Sequence, residues 1–375
     1  MLNSTASGLT SMLTASSSQD SGREALLGVV RCAAGDLPFQ PLDDHDWPRL
    51  PSDADAHHLA PLLEWLTRGC ESSAPRAVRA QLRALVLRQT AWHRARTAAA
   101  TEILDALERG SIRTLVLKGA ALAWTIYPSP ALRPMTDIDL LVDRSDAAKA
   151  QTVIRQLGFD AAPPRPFGGY AHHLPSATRV DGGLPITVEI HLDALTRDSG
   201  QSIAPANLVE PPRRFLLDGA SRMTLGHIDT LRHLVHHMLE PSPDGFVRLI
   251  SLVDLLRYAR AFHAEIDWPR MEAAFPFVLN ALACVHAIVP LTGELARCAA
   301  PDWWRPADAG QTLRPLRWIA REASVLAIVR ELFVPPAWWM HAYYNVRPGR
   351  SLLFARAVRH PTRMIRWLAL RVGGF

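Results

Sequence analysis

The hydrophobic pattern of the chain changes period several times. From Arg79 to Glu108, Leu82, Leu85, Leu87, Ala100, Ile103, Leu104 and Leu107 recur at helical spacing, with arginines on the opposite face. Gly110 supplies the stop. Ile112–Leu117 is a short apolar, β-rich run that ends at Lys118-Gly119, and Ala120–Ile126 returns to helical spacing for a turn or two. Pro128, Pro130 and Pro134 predict a loop. Asp137–Val142 (DIDLLV) predicts a second strand, and Asp146–Leu157 a helix closed by Gly158. Ile186–Leu192 predicts a third strand, with Val188, Ile190 and Leu192 on one face and Glu189 and His191 on the other.

The Pro- and Gly-rich stretch 160–185 predicts loops with one weak strand. After Pro211 and Pro212 the pattern is helical, over Asp229–Glu240, Val247–Ala261 and at least once within 270–299. The predicted organisation is a leader (1–22), an N-terminal helical region (23–110) and a small α/β core (111–210). A C-terminal helical domain (211–305) and an Arg-rich helical tail (306–375) follow. The fold class is α+β.

Composition removes several classes. With 48% hydrophobic and 21% charged residues, the chain is neither disordered throughout nor collagen-like or mucin-like. Cys32, Cys70, Cys284 and Cys298 lie far apart with no CxxC pair, which argues against a disulfide framework or zinc knuckle and for a reducing compartment. No run of eighteen uncharged apolar residues predicts a membrane-spanning helix. The Ser- and Thr-rich start lacks the basic and apolar regions of a secretory signal, so the expected location is the cytoplasm.

Formal net charge is +5, but it is placed unevenly. From Thr312 onward eleven arginines face only Glu322 and Glu331, a net of +9 that leaves the remainder near −4. The basicity therefore belongs to the tail, and no sequence-specific nucleic-acid partner is expected. From Trp338 the tail interleaves arginine with Trp, Tyr, Phe and Leu. Packing as an amphipathic helix is its first reading, and peripheral contact with an anionic membrane its second.

The chemistry concentrates on few residues. Asp137 and Asp139 at i and i+2 of a strand share one face, flanked by apolar Ile138, Leu140 and Leu141. Paired carboxylates repel unless a proton or a cation intervenes, and a hard cation such as Mg²⁺ or Mn²⁺ takes oxygen ligands. Glu189 adds a third carboxylate on a later strand. Three such groups fit a metal-assisted displacement at phosphorus. Lys118-Gly119 stands at a strand-to-helix turn that suits a phosphate, and Arg133 is a second cation for it. Taken singly, each has a plainer reading: Asp pairs cap helices and close turns, and a strand glutamate pairs with arginine.

His172, His173 and His191 are candidate pocket residues. His233 and His237, at i and i+4, form a possible metal pair, and His237 with Asp254 a possible hydrolase site. A packed helix with satisfied histidines, hydrogen-bonded to Asp254, is the alternative.

The order strand, Lys-Gly, short helix, arginine, strand with DxD, helix, strand with glutamate resembles the nucleotidyltransferase superfamily of the DNA polymerase β type. More closely, the chain resembles an uncharacterised bacterial nucleotidyltransferase family with an LKG turn. The matching residues are Leu117-Lys118-Gly119, Tyr127-Pro128, Arg133, Thr136–Val142, Leu157-Gly158-Phe159 and Val188-Glu189-Ile190-His191. His57–Leu62 (HHLAPL), Leu231–His237 and Arg248–Leu256 extend the resemblance over roughly 55–265. The wider superfamily carries Gly-Ser or Gly-Gly where this chain has Lys118-Gly119.

The resemblance implies a minimal palm, a short mixed sheet with flanking helices, between the two helical regions. Its metal triad would be Asp137, Asp139 and Glu189, with Glu189 also the base, and Lys118, Gly119 and Arg133 would hold the triphosphate. It implies transfer of a nucleoside monophosphate from an NTP to a small-molecule, peptide or protein acceptor, in a biosynthetic or tailoring setting. A non-catalytic nucleotide- or peptide-binding accessory module on the same fold is the rival reading.

Overall fold

The computed structural model describes residues 25–35, 42, 46–68, 74–161, 172–195, 201–239, 248–286, 289–293, 295–296, 333–335, 340–341, 343–344, 346 and 350–365. The predicted leader and much of the Arg-rich tail lie outside them. Helices α1 (25–34), α2 (Leu50–Ala56), α3 (Ala60–Thr67) and α4 (Arg76–Arg109) precede the sheet. Strands β1 (Thr114–Val116) and β2 (Ile138–Val142) follow, separated by α5 (Lys118–Thr125), and then α6 (Ala147–Gln156). Next come β3 (Asp160–Ala161), β4 (Ala177–Asp181), β5 (Leu184–His191), β6 (Arg213–Leu217) and β7 (Ala220–Thr224). Helices α7 (His227–Leu239), α8 (Leu249–Ala261), α9 (Trp268–Ala274) and α10 (Pro276–His286) complete the C-terminal part.

The result is the expected α+β architecture, a mixed sheet in the order β3-β4-β5-β2-β1-β7-β6 flanked by helices. β2 pairs in parallel with β5 and antiparallel with β1, and every residue of β2 is buried, as befits an internal strand covered on both faces. Ala99, Ala100, Ile103, Leu104 and Leu107 of α4 pack on one face with Ile138, Leu140, Val142, Val188 and Ile190. Leu115, Leu117 and Leu141 face the other way, toward Leu195, Ile203 and Leu225. A larger core joins α1–α3 with α7–α10. Leu122, Ile126, Tyr127 and Leu132 from the segment between β1 and β2 enter it, as do Met340, Tyr343 and Tyr344 of the tail. No described helix is long and apolar enough to cross a membrane.

One prediction fails. The chain does not become helical directly after Pro212; it first forms the β6–β7 hairpin, and β7 pairs in parallel with β1 through Val116 and Thr224. The two-residue turn is Asp218-Gly219, both at positive φ (50° and 80°). Asp-Gly between short strands is the sequence signal for such a turn, because both central residues need the left-handed region. The stretch 160–185 likewise holds two strands rather than one, β3 and β4, and Gly182-Gly183 turns β4 into β5.

His236 of α7 is 2% exposed, neither ring nitrogen has a hydrogen-bond partner among the described residues, and the ring packs on Phe277. Burial first, and then the charge of Arg232, lower its pKa to about 3. The unfolded chain, with an ordinary histidine near 6.5, therefore binds more protons below that pH, and the fold loses stability as pH falls through 6.5. The share from His236 between pH 7 and 5 is about 2 kcal/mol. His236→Leu should remove that share of the pH dependence in urea unfolding; an unchanged difference between the two pH values rejects the assignment.

Candidate active site

The register of β2 on β5 builds the site. Asp139 pairs with Glu189 and Leu141 with His191, so the odd positions of both strands share one face. The ligand atoms of Asp139, Glu189 and His191 lie within 4.8 Å of one another, the one such group found among the described residues. His191 Nε2 donates to Asp139 Oδ1 at 2.7 Å and lies 3.5 Å from Glu189 Oε2. Lys118 Nζ donates to the same Asp139 oxygen at 3.0 Å, and Ser176 Oγ donates to Glu189 Oε1 at 2.8 Å.

Asp137 stands just before β2 begins at Ile138 and outside that group of three. Thr136 Oγ1 donates to it at 3.1 Å. Its pKa is raised, by burial first and then by the neighbouring Asp139 charge. Asp139 goes the other way. Burial would raise its pKa, but the Lys118 ammonium and the hydrogen bond from His191 hold it far below the usual carboxylate range. The hydrogen bond from His191 lowers Glu189 to about 2 against the opposing effects of burial and Asp139. A carboxylate so acidic is suited to ligation and poorly suited to taking up a proton at neutral pH. His191 is pushed up: burial disfavours its charge, and its bonds to Asp139 and Glu189 outweigh burial. Its Nδ1 is sealed without a partner among the described residues.

His172 and His173 stand next to His191. Their rings lie 5.8 Å and 5.5 Å from that of His191, and His173 pairs with His191 as an antiparallel bridge. His233 and His237 of α7 border the site. Burial keeps both neutral, and the Lys118 charge lowers each further while Asp139 opposes. They are neighbours of the acidic group rather than partners of Asp254.

Asp254 is spent elsewhere. Tyr127 Oη donates to its Oδ1 at 2.6 Å, and Arg133 Nη2 and Nε reach Oδ2 at 2.6 and 3.1 Å. Arg133 Nη1 donates to the Pro134 carbonyl. The arginine expected on the triphosphate is thus engaged inside the protein at all three nitrogens. Burial opposes its charge, and Asp254 more than restores it. Gly119 has its reason here: a Cβ on it would lie 2.5 Å from Arg133 Nη1. The glycine admits the guanidinium, whatever its backbone amide also does. Lys118 beside it sits at φ +46°, a left-handed conformation costly for a side chain with a Cβ and typical of functional turns.

The donor set fits a divalent cation. Two carboxylates crowd one face, and the protein meets the charge of Asp139 with an ammonium and an imidazole proton on the same oxygen. Carboxylate oxygens suit both Mg²⁺ and Mn²⁺. The sequence pattern shows His191 only as a pocket residue, and it gives no sign of the Tyr127–Arg133–Asp254 cluster, in which Asp254 lies 127 and 121 residues beyond its two donors.

Compared with known proteins, the chain matches a family described as "Uncharacterised nucleotidyltransferase" over residues 43–290, about two thirds of its length. No curated protein and no solved structure matches it.

Breaking a buried ion pair strands its partner's charge and typically costs about 3–5 kcal/mol. Asp254→Ala should lower unfolding stability by that amount. Arg133→Met with Asp254→Leu should recover much of the loss, because no buried charge remains. Denaturant unfolding of wild type and the two variants tests this; a loss under about 1 kcal/mol for Asp254→Ala overturns it.

Proposed function

The chain belongs to the uncharacterised nucleotidyltransferase family, and from that premise we propose that it transfers a nucleoside monophosphate from an NTP to an acceptor hydroxyl or equivalent nucleophile. The observation that carries this reading is the cluster of Asp139, Glu189 and His191 beside Asp137 on one face of a palm-like sheet. Asp139 and Glu189 would hold a divalent cation, Mg²⁺ or Mn²⁺, with His191 as the third member of the group and Asp137 adding negative charge just before β2. Such a cation supplies charge neutralisation at the phosphates and at the leaving oxygen.

The chain's own residues do the rest. A nucleophilic oxygen of the acceptor bonds to the α-phosphorus, the bond from that phosphorus to the β-bridging oxygen breaks, and pyrophosphate leaves. The acceptor's proton passes to one of the site carboxylates; Glu189, held so acidic by its hydrogen bonds, serves better as a ligand than as that base. Lys118 stands on the first residue of α5, where an ammonium and the positive end of a helix both favour an anion. His172 and His233, kept neutral by burial, would orient the nucleotide or the acceptor without adding charge, with His173 beside them. The family description names no acceptor, and three chemical classes fit the reaction: a small molecule, a peptide or a protein.

The test is transfer of label from α-labelled NTP in Mg²⁺ or Mn²⁺, by wild type and by Asp137→Asn/Asp139→Asn. Wild type should release pyrophosphate only with metal. The double variant should lose at least about a thousandfold in rate, about 4 kcal/mol of transition-state stabilisation, with an unchanged circular dichroism spectrum. Full activity in the variant rejects the site. Nucleotide binding with no transfer to any acceptor favours the binding-module reading.

A further inference from the structure

Among the described residues four arginines are buried, and three of them have a carboxylate. Arg133 pairs with Asp254, Arg222 with Asp105 and Glu108, and Arg232 with Asp229. The fourth, Arg96 on α4, is 8% exposed and forms no ion pair among the described residues. Its Nε is sealed from solvent with no hydrogen-bond partner among the described residues. Its guanidinium rests on the Trp92 ring, 4.3 Å from the centroid. Stacking of that kind covers a face of the guanidinium and leaves its edge free for in-plane bonds. A buried cation with no carboxylate in ion-pair contact is expensive, which makes an anion from outside the chain its natural partner.

Its place in the fold says which anion. One turn further along α4, Ala99 and Ala100 pack in the same core as Met135 and Ile138, the residues on either side of the Asp137 turn. Arg96 therefore sits by the entrance of β2, near enough to Asp137 for the two charges to interact, while α4 itself covers the face of the sheet opposite Asp139 and Glu189. Asp137 is the carboxylate whose charge offsets the burial of the guanidinium, and His58, from the HHLAPL segment, also feels the Arg96 charge. Of the two cations that the sequence offers for phosphates, Arg133 is held by Asp254 and Lys118 is shared with Asp139.

We propose that Arg96 binds the pyrophosphate end of the nucleotide, its guanidinium forked onto oxygens of the β- and γ-phosphates. This rests on the nucleotidyltransferase reading above. It makes Arg96 a specificity residue for triphosphate over monophosphate, since a monophosphate presents nothing at that position.

The experiment is titration calorimetry on the full chain with Mg²⁺, using inorganic pyrophosphate, the four NTPs and the matching nucleoside monophosphates. Wild type, Arg96→Met and Arg96→Lys are compared, with thermal unfolding of each. Loss of one charge-assisted forked contact should weaken pyrophosphate and NTP binding by about ten- to a hundredfold in Arg96→Met. Monophosphate affinity should stay within about twofold of wild type, a split that a merely structural arginine would not produce. Arg96→Lys keeps the charge without the fork and should lose several-fold for pyrophosphate and the NTPs; it decides the matter if Arg96→Met does not fold. Equal pyrophosphate affinity in wild type and variant, or equal loss for mono- and triphosphate, overturns the role of Arg96 and leaves the nucleotidyltransferase reading standing. A wild type that binds neither NTP nor pyrophosphate overturns both.

Discussion

A carboxylate 2% exposed on an internal strand dictates much of what surrounds it. Asp139 lies between Ile138 and Leu140, which are fully buried on the opposite face of the sheet. Left alone, a charge so placed costs several kcal/mol, and the chain would protonate it or unfold around it. Lys118 and His191 meet it on the same oxygen, one from the turn after β1 and the other from β5. Parallel pairing of β5 with β2 is what brings His191 there, and the same pairing forces Glu189 alongside Asp139. The second carboxylate raises the local demand for positive charge again. A site built on this register is thus poised to exchange protein-supplied cations for an external one, because the ammonium and the imidazole occupy an oxygen that a metal would use.

The turn that carries Lys118 is held in place from two directions. Its residue sits in the left-handed region, a strain of order 1–3 kcal/mol that persists only where the surroundings over-determine the backbone. Leu117 N–H bonds to the Asp139 carbonyl at 3.0 Å, tying the turn to β2. Gly119 lets Arg133 lie against it, and Arg133 runs on to Asp254 in α8, where Tyr127 completes the cluster. The helical part of the chain is therefore coupled to the Lys118 side of the palm through a buried ion pair. A change at Asp254 reaches the site through Arg133 and Gly119 without touching a carboxylate of the site.

The local pattern carries the strands and their chemistry further than it carries their partners. Period-two alternation in Val188–His191 alone puts Glu189 and His191 on one face, and the DxD spacing does the same for Asp137 and Asp139. The register that sets Asp139 beside Glu189 is a long-range fact and leaves no local mark. Arg133 reads as a phosphate ligand from its position before the DxD, because its true partner lies 121 residues away on another helix. Gly119 reads as a phosphate-binding glycine for the same reason. His237 and Asp254 look like a hydrolase pair on helical spacing, and only the fold shows His237 within range of the Lys118 and Asp139 charges while Asp254 bonds to Tyr127 and Arg133. Arg96 is invisible in sequence among many helix arginines; what distinguishes it is burial without an ion pair among the described residues, which only the fold can reveal.

The β6–β7 hairpin shows why the sheet that bears the site needs residues beyond the three strands that the pattern makes plain. β1 is only three residues long, and β2 covers just one of its edges. An uncovered edge would leave Val116, and with it the Lys118 turn, without lateral support. β7 supplies that support. It pairs with Val116 through Thr224, whose hydroxyl also donates to the Val116 carbonyl at 2.7 Å. The hairpin is fastened in turn to α4, where Arg222 bonds Asp105 and Glu108. The helix that carries Arg96 and the turn that carries Lys118 are thereby braced against the same hairpin. Two cations near the acidic cluster are fixed by one element, and the Asp-Gly turn that the helical reading passes over is what allows that element to form.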